Sequence, residues 1–234
     1  MAAQEEKVII ITGANSGIGL ETAKSLCELG HDVVISVRDD DKGRTTTEII
    51  KAGIKDAKIS YITMELSDPM SIRRFVDKFH ETGKKLNVLI NNAGLFMRFM
   101  GTERTIVRQD QTREVTMTVN CMGSFLLTNL LIDDLKATAT KEKPSRVVNV
   151  SSNLTVQGKA FGTGDFFIDD LMLAKEGAYV NGLHSYRNSK IALNMWSNEL
   201  AEKLKSSNVT VNTVCPGWIP STGLKRHNPI DWKR

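Results

Sequence analysis

The feature that most constrains the fold is an apolar run that leads directly into a glycine-rich turn. Val8–Ile11 is apolar throughout, the turn Thr12–Gly19 follows it, and Leu20–Leu29 then has the apolar spacing of a helix. Glycines let a backbone approach a pyrophosphate closely, and the start of the next helix offers amides and positive potential. A glycine turn between strand and helix also occurs for packing alone. By itself it predicts a βα unit and does not establish a dinucleotide site.

Five further strand-like runs alternate with helical patterns along the chain. They are Val33–Val37, Lys58–Met64, Leu86–Ile90, Arg146–Val150 and Val209–Val214. Because apolar strands separated by helices form parallel sheets covered on both faces, we predict an α/β fold of the Rossmann type. We expect a doubly wound parallel sheet with strand order 3-2-1-4-5-6. With no linker or internal repeat, residues 1–234 are expected to form one domain that holds both the dinucleotide site and the catalytic site.

Composition and charge exclude several classes of function. The formal net charge is only +4 and the cations are scattered, so nucleic-acid binding is not expected. Cys27, Cys121 and Cys215 lie far apart and form no CxxC pair, so we expect neither a disulfide framework nor a metal site. The N-terminus has no signal-peptide pattern and no apolar run is long enough to cross a membrane. We therefore expect no integral membrane segment and a cytoplasmic location.

A tyrosine and a lysine near the C-terminal third of the chain predict acid–base chemistry. Tyr186 and Lys190 are four residues apart within the predicted helix Ser185–Leu204, so they share one face of it. An ammonium beside a phenol favours the phenolate, which predicts a lowered pKa for Tyr186. Such a phenol exchanges a proton near neutral pH, and the glycine turn suggests that a dinucleotide carries a hydride alongside it.

Other polar motifs follow the predicted strands at the point where each strand ends. Asn91–Gly94 follows the fourth strand, Ser151 and Ser152 follow the fifth, and Cys215–Gly217 follows the sixth. In an open parallel sheet, ligands bind at this carboxyl edge. The sequence therefore predicts one site assembled from several strand ends.

Taken in order, these motifs resemble the short-chain dehydrogenase/reductase family over nearly the whole chain. The matching elements are Thr12–Gly19, Asn91–Gly94, Asn120, the Ser151–Ser152 pair, Tyr186 with Lys190, and Pro216–Gly217. The resemblance implies an enzyme that transfers a hydride between a nicotinamide cofactor and a carbonyl or alcohol.

The resemblance also implies roles for four catalytic residues. Tyr186 is the general acid and base, and Lys190 lowers its pKa and holds the nicotinamide ribose. Ser152 orients the substrate oxygen, and Asn120 holds a water that relays protons from Lys190.

Cofactor contacts implied by the resemblance lie along the same edge of the sheet. They fall on Gly13, Asn15, Ser16, Gly17, Ile18, Gly19, Arg38, Glu65, Leu66, Asn92, Ala93, Gly94, Tyr186, Lys190, Pro216, Gly217, Ile219 and Ser221.

Cofactor choice is predicted from the end of the second strand. Position 37 is Val rather than an acid, and Arg38 suits a ribose 2′-phosphate, so NADP(H) is expected in preference to NAD(H). The acidic run Asp39–Asp41 follows directly. These acids either offset part of the positive charge of Arg38 or form a solvated helix start, where negative charge is favourable.

The chain departs from the usual family pattern in three places. Glu65 stands where relatives usually have an Asp near the adenine. The gap between Ser152 and Tyr186 is long, as in retinol-dehydrogenase-like and protochlorophyllide-reductase-like members. The segment 216–224 resembles the second subgroup more closely, and both subgroups handle large lipophilic substrates. Apart from these departures, an apolar group follows Gly94: Phe96, Met97, Phe99 and Met100. These residues either line an apolar pocket near the nicotinamide or belong to a loop that packs on the core.

The third departure is the short C-terminus. Relatives continue through a substrate-covering loop, another helix and a seventh strand, none of which is visible here. Either this is a truncated chain or the protein works without that lid. Two alternatives to a carbonyl reductase therefore stay open: a non-catalytic NADP-binding sensor or scaffold, and a reductase of conjugated C=C bonds.

Two long predicted helices, Thr112–Lys136 and Ser185–Leu204, are apolar on more than one side. Off their main stripes lie Met117, Phe125, Ile191 and Met195. Either each helix has one wide core stripe, or the second face pairs two copies of the chain. The second interpretation predicts a homodimer.

Overall fold

The computed structural model describes residues 5–96, 114–156, 164–175, 178, 180–217, 219 and 224. Its strands are β1 (Val8–Thr12), β2 (Asp32–Val37), β3 (Ile59–Thr63), β4 (Leu86–Asn91), β5 (Ser145–Val150) and β6 (Val209–Val214). Its helices are α1 (Gly17–Glu28), α2 (Asp40–Gly53), α3 (Pro69–Glu81), α4 (Val115–Leu130), α5 (Ile132–Thr138) and α6 (Gly182–Lys203). Short 3₁₀ turns form at Asn153–Val156 and Ile168–Asp170.

All six strands form one parallel sheet in the order β3-β2-β1-β4-β5-β6, which confirms the predicted fold class and strand order. From β1 the chain builds outward to β2 and β3, then returns to add β4 on the other side of β1. The switch point therefore lies between β1 and β4, where the glycine turn leaves the sheet. In an open α/β sheet this is where a crevice for a ligand forms.

Successive strand residues point to opposite faces of the sheet, and both faces are covered by helices. Positions on both faces are therefore buried, which explains why the strands are apolar throughout. On one face Ile10 and Leu89 pack against Phe75 of α3 and Leu127 of α4. On the other face the core is formed by Ile9, Ile11, Val33, Ile35, Ala23 and Ile50, contributed by β1, β2, α1 and α2.

The predicted helix Thr112–Lys136 is two helices, with its first residues outside the described part of the chain. After Leu130 the axis bends by 50° and α5 begins. The amide of Leu131 is shared between the carbonyls of Leu127 and Thr128. Just before the bend, Thr128 and Asn129 donate side-chain hydrogen bonds to carbonyls four residues back. Such bonds compete with the helix ladder and favour bending, so the apolar pattern overestimated the length of one straight helix.

The segment between Ser152 and Tyr186 covers part of the second apolar face. Its described residues Phe166, Leu171 and Met172 pack on a cluster from α4 and α6. That cluster contains Met117, Cys121, Met122, Ala192 and Trp196. Phe125 and Met195 are about half exposed, and the ring of Phe125 lies edge-on to Trp196 at 5.8 Å.

Within the described residues, no single helix is long and apolar enough to cross a membrane. The bent pair formed by α4 and α5 meets the length and composition criteria when the two are taken together. In this fold, α4 and α5 bury Leu127, Leu131 and Leu135 in the core beside the sheet.

Candidate active site

The glycine turn and the segment after β4 are locked together at the switch point. Asn92 donates its side-chain amide to the carbonyls of Thr12 (2.9 Å) and Gly13 (3.3 Å). A Cβ on Gly19 would lie 2.4 Å from that amide nitrogen, and one on Gly13 would lie 2.9 Å from Cα of Ala93. Gly13 also has φ +65°, a left-handed conformation that favours glycine. The glycines are therefore required by the close approach of two chain segments.

The start of α1 has the features of an anion site. Ser16 at the N-cap makes no capping bond with its side chain, and the first turn carries no acidic residue. Amides at such a helix start attract a phosphate group. Around it lie the predicted contacts Asn15, Gly17 and Ile18, which are partly exposed. These residues fit the pyrophosphate of a dinucleotide.

The residues predicted to hold the adenosine half follow β2 and β3. Arg38 is exposed directly after the last residue of β2, and the amide of Met64 bonds the carbonyl of Val37, which brings the two strand ends together. The carboxylate of Glu65 accepts from the amide and hydroxyl of Ser67 at 3.0 and 2.9 Å. Leu66 is buried. Glu65 therefore holds its own turn, a contact that the sequence did not predict.

The predicted catalytic side chains come together where β5 ends. Tyr186 and Lys190 lie on α6, and Ser152 is near enough to the phenol of Tyr186 to lower its pKa. The ammonium of Lys190 donates to the carbonyl of Val150 at 2.7 Å and lies 5.8 Å from the centre of the Tyr186 ring. Both Tyr186 and Lys190 are buried. The arrangement presents a phenol, a hydroxyl and an ammonium at one edge of the sheet.

Burial dominates the protonation of this pair. Removal from water raises the pKa of Tyr186 to about 12, although Ser152 acts in the opposite direction and lowers this pKa. Burial also lowers the pKa of Lys190 to about 8. The expectation that Lys190 lowers the pKa of Tyr186 does not hold in this structure. The ammonium donates to the Val150 carbonyl and lies over the ring, and in the protein without cofactor the burial of the phenol outweighs the effect of this cation.

Asn120 joins the segment after β4 to α6. It lies in a π-helical turn of α4, Thr118–Gly123, a feature frequent at functional sites. Its side chain accepts from the amide of Leu95 at 2.8 Å and donates to the Leu95 carbonyl at 3.0 Å. It also donates to Ser189 at 3.1 Å, whose hydroxyl in turn donates to the Tyr186 carbonyl at 2.7 Å. The Asn120 side chain thus connects the backbone of Leu95 to α6. The proton relay through Asn120 stays a prediction.

Gly94 lies between these groups. A Cβ built on it would be 3.3 Å from the side-chain oxygen of Asn120 and 3.6 Å from the ammonium of Lys190. The exposed Gly94 therefore leaves open space beside both side chains, which a side chain at this position would narrow.

A buried line of polar side chains that the sequence did not reveal supports the site. The amide of Asn91 donates to Thr128 on α4 (3.0 Å) and to Asn149 on β5 (2.7 Å). Asn149 donates onward to Ser197 on α6 at 2.8 Å. These contacts join two helices through two strands and fix α6 relative to the sheet. Only Asn91 belonged to a recognised motif, because spacing along the chain does not show which distant polar residues meet in a core.

The segment after β6 reaches the start of α1. Pro216 and Gly217 follow β6, Gly217 has φ +77°, and Ile219 lies beside Ile18. A groove of about 650 Å³ is formed there by Gly17, Ile18, Glu21, Thr22, Ser25, Leu26 and Ile219. The predicted contact at Ser221 lies outside the described residues, as do Met97, Phe99 and Met100.

Three more observations bear on the chemistry of the site. Phe96 lies against Tyr186 with ring centres 5.0 Å apart and planes tilted by 52°. Over the described ranges, no group of three or more His, Cys, Asp or Glu side chains is placed to hold a metal ion. The three thiols are free, with Cys27 and Cys121 buried and Cys215 exposed.

Comparison with known proteins agrees with this geometry. The chain matches the family described as short chain dehydrogenase over residues 7–164 and 175–231. Retinol dehydrogenase 11 of Homo sapiens is 37% identical over 226 residues, or 97% of this chain and 65% of that protein. Polyprenol dehydrogenase of Homo sapiens is 35% identical and covers 95% of this chain and 63% of that protein. The chain thus spans just under two thirds of the length of these relatives.

Solved structures show the same fold. RhlG of Pseudomonas aeruginosa, in an active-site complex with NADP, has a TM-score of 0.75 and 26% identity over 94% of this chain and 75% of that one. A short-chain dehydrogenase/reductase of Burkholderia phymatum in complex with NAD has a TM-score of 0.73 and 20% identity, over 97% and 70% of the two chains, and supports the fold alone.

The fold and the site together define a Rossmann-type α/β protein with a polar site at the carboxyl edge of its parallel sheet. More narrowly, the chain belongs to the short-chain dehydrogenase family. Of the two subgroups considered from the sequence, its similarity is to the retinol-dehydrogenase-like one.

The buried charge of Lys190 predicts a pH-dependent stability. Since burial lowers its pKa from 10.5 to about 8, the folded state is penalised in full below pH 8, and the penalty disappears as the pH rises through 10.5. Without added cofactor, Lys190→Met should therefore be more stable than wild type at neutral pH by about 1–3 kcal/mol, because the lost bond to Val150 offsets part of the gain. Urea unfolding at neutral pH and at about pH 9.5 measures this.

Lys51→Met, at an exposed position on α2, is the matched control. Its difference in unfolding free energy from wild type should be the same at the two pH values. The buried thiols also titrate at alkaline pH but are common to all three proteins. A wild type more stable than Lys190→Met at neutral pH, or a difference that does not shrink at the higher pH, would contradict the account.

Proposed function

We propose that the protein is an NADP(H)-dependent oxidoreductase that transfers a hydride between nicotinamide and a carbonyl or alcohol of a lipophilic substrate. The observation that supports this proposal most is the buried phenol of Tyr186, with Ser152 near enough to lower its pKa and the Lys190 ammonium 5.8 Å from its ring centre. A proton donor and a hydroxyl for orientation would then lie at the edge of the sheet where the glycine turn would hold a dinucleotide.

The residues present fit the proposed cofactor along its length. The amides that begin α1 would hold the pyrophosphate, and Arg38 would pair with the 2′-phosphate. Asn92, Ala93 and Gly94 would lie along the nicotinamide half. When bound, the cofactor supplies or accepts the hydride.

Protein groups would handle the proton and the substrate oxygen. With its pKa raised to about 12, Tyr186 is protonated at neutral pH, which is the form that carbonyl reduction needs. The phenol donates its proton to the substrate oxygen, and Ser152 donates a hydrogen bond that orients that oxygen. Alcohol oxidation needs the phenolate, and this form becomes accessible only where nearby positive charge offsets burial. Lys190 is the buried cation beside it.

A lipophilic substrate is supported by the apolar surroundings of Tyr186. Phe96 presents an aromatic ring against it, and planar apolar substrates pack well on such a surface. The similar proteins named retinol dehydrogenase and polyprenol dehydrogenase point in the same direction. The cytoplasmic location expected from the sequence stays a prediction.

The first prediction concerns the proton donor. Tyr186→Phe should lower turnover by about 10²–10⁴-fold, the usual loss when general acid catalysis is removed, while NADPH binding stays within about twofold. Lys190→Ala should harm both, since one ammonium serves the phenol and the ribose. Purified protein is assayed for NADPH oxidation with aldehydes, ketones, retinoids and conjugated enones, and cofactor binding is titrated separately.

The substrate panel separates the open alternatives. Turnover of enones to saturated ketones would favour a C=C reductase. Tight NADPH binding with no turnover of any member would favour the sensor or scaffold. Near-normal turnover by Tyr186→Phe would contradict the proposed role of the phenol.

The second prediction concerns cofactor preference. Arg38→Ala should weaken NADPH binding about tenfold, because a charge-assisted hydrogen bond to phosphate is lost, and should leave NADH binding nearly unchanged. Fluorescence titration of both cofactors measures this. Arg146→Ala is the matched control, since Arg146 is exposed near the amino end of β5, at the opposite edge of the sheet. Equal losses for the two cofactors would contradict the prediction.

The third prediction concerns assembly. The homodimer expected from the sequence is supported by the exposed Phe125 on α4 and Met195 on α6. The covering of Met117 by the inserted segment leaves less of this face for a partner. We expect a dimer by sedimentation at micromolar concentration and a shift toward monomer on Met195→Glu, which would bury a charge in the interface. A wild-type monomer at that concentration would contradict this proposal.

A further inference from the structure

The first turns of α6, which carry Tyr186, extend past the end of the sheet. Further along the helix, Ser197 accepts the side-chain amide of Asn149, and β5 ends one residue after Asn149. About 16 Å of helix separates Ser197 from Tyr186, at 1.5 Å per residue. The turn that presents the phenol therefore depends on contacts from outside the sheet.

One turn of α6 is bound to the backbone of the segment that precedes the helix. Nε2 of His184 donates to the carbonyl of Asp165 at 2.8 Å, and the side-chain amide of Asn188 donates to the same carbonyl at 3.3 Å. Because a carbonyl only accepts, Nε2 of His184 carries a proton. The guanidinium of Arg187 donates to the carbonyl of Gly164 at 3.3 Å. We call these three hydrogen bonds to two consecutive carbonyls the carbonyl clasp.

The carbonyl clasp is buried and closely packed. His184 is fully buried and Asn188 is nearly so. A Cβ on Gly164 would lie 2.7 Å from the ring of His184 and 2.9 Å from Val180, so a larger residue there would displace the ring. His184 and Asn188 are one turn apart and lie roughly opposite Tyr186, since two residues turn a helix by about 200°. The clasp therefore holds the turn from the side that faces away from the site.

We propose that His184 and Asn188 are positioning residues for the general acid: they use the carbonyl of the preceding segment to fix the turn that carries Tyr186. This inference rests on the proposed role of Tyr186 and identifies what holds that residue in place. Both side chains act through the helix, not on the reacting atoms. General acid catalysis requires hydrogen-bond reach to the substrate oxygen, so a small displacement of the phenol is costly. Loosening the clasp should lower turnover more than cofactor binding, since Lys190 keeps its bond to Val150.

The sharpest variant changes the preceding segment and leaves α6 intact. Gly164→Ala should displace the ring of His184 and weaken the clasp. In the protein without cofactor, we expect the backbone amides of residues 184–188 to exchange with D₂O about three- to tenfold faster, the effect of losing one hydrogen bond. NMR measures this. Turnover should fall by a similar factor, with NADPH affinity within about twofold of wild type. Asn188→Ala should act in the same way.

Asn194→Ala is the matched control on the same helix. Over the described ranges, the side-chain oxygen of Asn194 accepts no hydrogen bond. Its removal should therefore leave both the amide exchange of residues 184–188 and turnover near the wild-type values.

Two further comparisons separate positioning from a general effect on stability. In a Tyr186→Phe background, Gly164→Ala should cause no further loss of turnover, because the phenol that it would displace is gone. His184→Gln keeps a donor for the Asp165 carbonyl and should retain more turnover than His184→Phe, which keeps a ring without a donor.

The inference is overturned if Gly164→Ala leaves the amide exchange of residues 184–188 unchanged or lowers NADPH affinity as much as turnover. An equal loss of turnover in the Tyr186→Phe background would also overturn it. Wild type that turns over no substrate would instead remove the proposed function. The ring signal of Tyr186 in protein with ¹³C-labelled tyrosine, assigned by its loss in Tyr186→Phe, then decides: it should move with Gly164→Ala and not with Asn194→Ala.

Discussion

The structure of the site depends on a lysine ammonium buried at the end of β5. Lys190 donates to the carbonyl of Val150, and burial lowers its pKa to about 8. A charge removed from water is costly unless it is well solvated by protein groups. Lys190 lies beside Tyr186 because both residues are on α6. The hydrogen bond that Asn149 on β5 donates to Ser197 fixes α6 relative to the sheet. Stability is thereby lost at the place where the proposed chemistry needs a cation.

The same edge of the sheet shows how close packing and ligand binding share residues. Gly13 and Gly19 are needed because Asn92 and Ala93 come within contact distance of the turn. The start of α1 also has no side-chain cap from Ser16. The same turn therefore meets a packing requirement and offers the proposed phosphate site, and the glycine pattern alone could not separate the two.

Sequence reasoning succeeded where local pattern decides the structure. Apolar strands and their order along the chain were enough for the 3-2-1-4-5-6 sheet, and motif positions brought Ser152, Tyr186 and Lys190 together. It failed where the outcome depends on distant contacts or on solvent. The bend at Leu131 follows from side-chain bonds that compete with the helix ladder. The pKa values of Tyr186 and Lys190 are set mainly by burial, and a spacing of four residues in the sequence gives no information about burial.

The central claim is that this site transfers a hydride to a carbonyl carbon while Tyr186 supplies the proton. NADPH labelled with deuterium at the transferable position of the nicotinamide tests it most directly, with lipophilic aldehydes as acceptors and mass spectrometry of the products. The account predicts one deuterium on the former carbonyl carbon for at least one aldehyde, and a large loss of that product with Tyr186→Phe. Labelled NADPH that binds tightly but delivers no deuterium to any acceptor would contradict it.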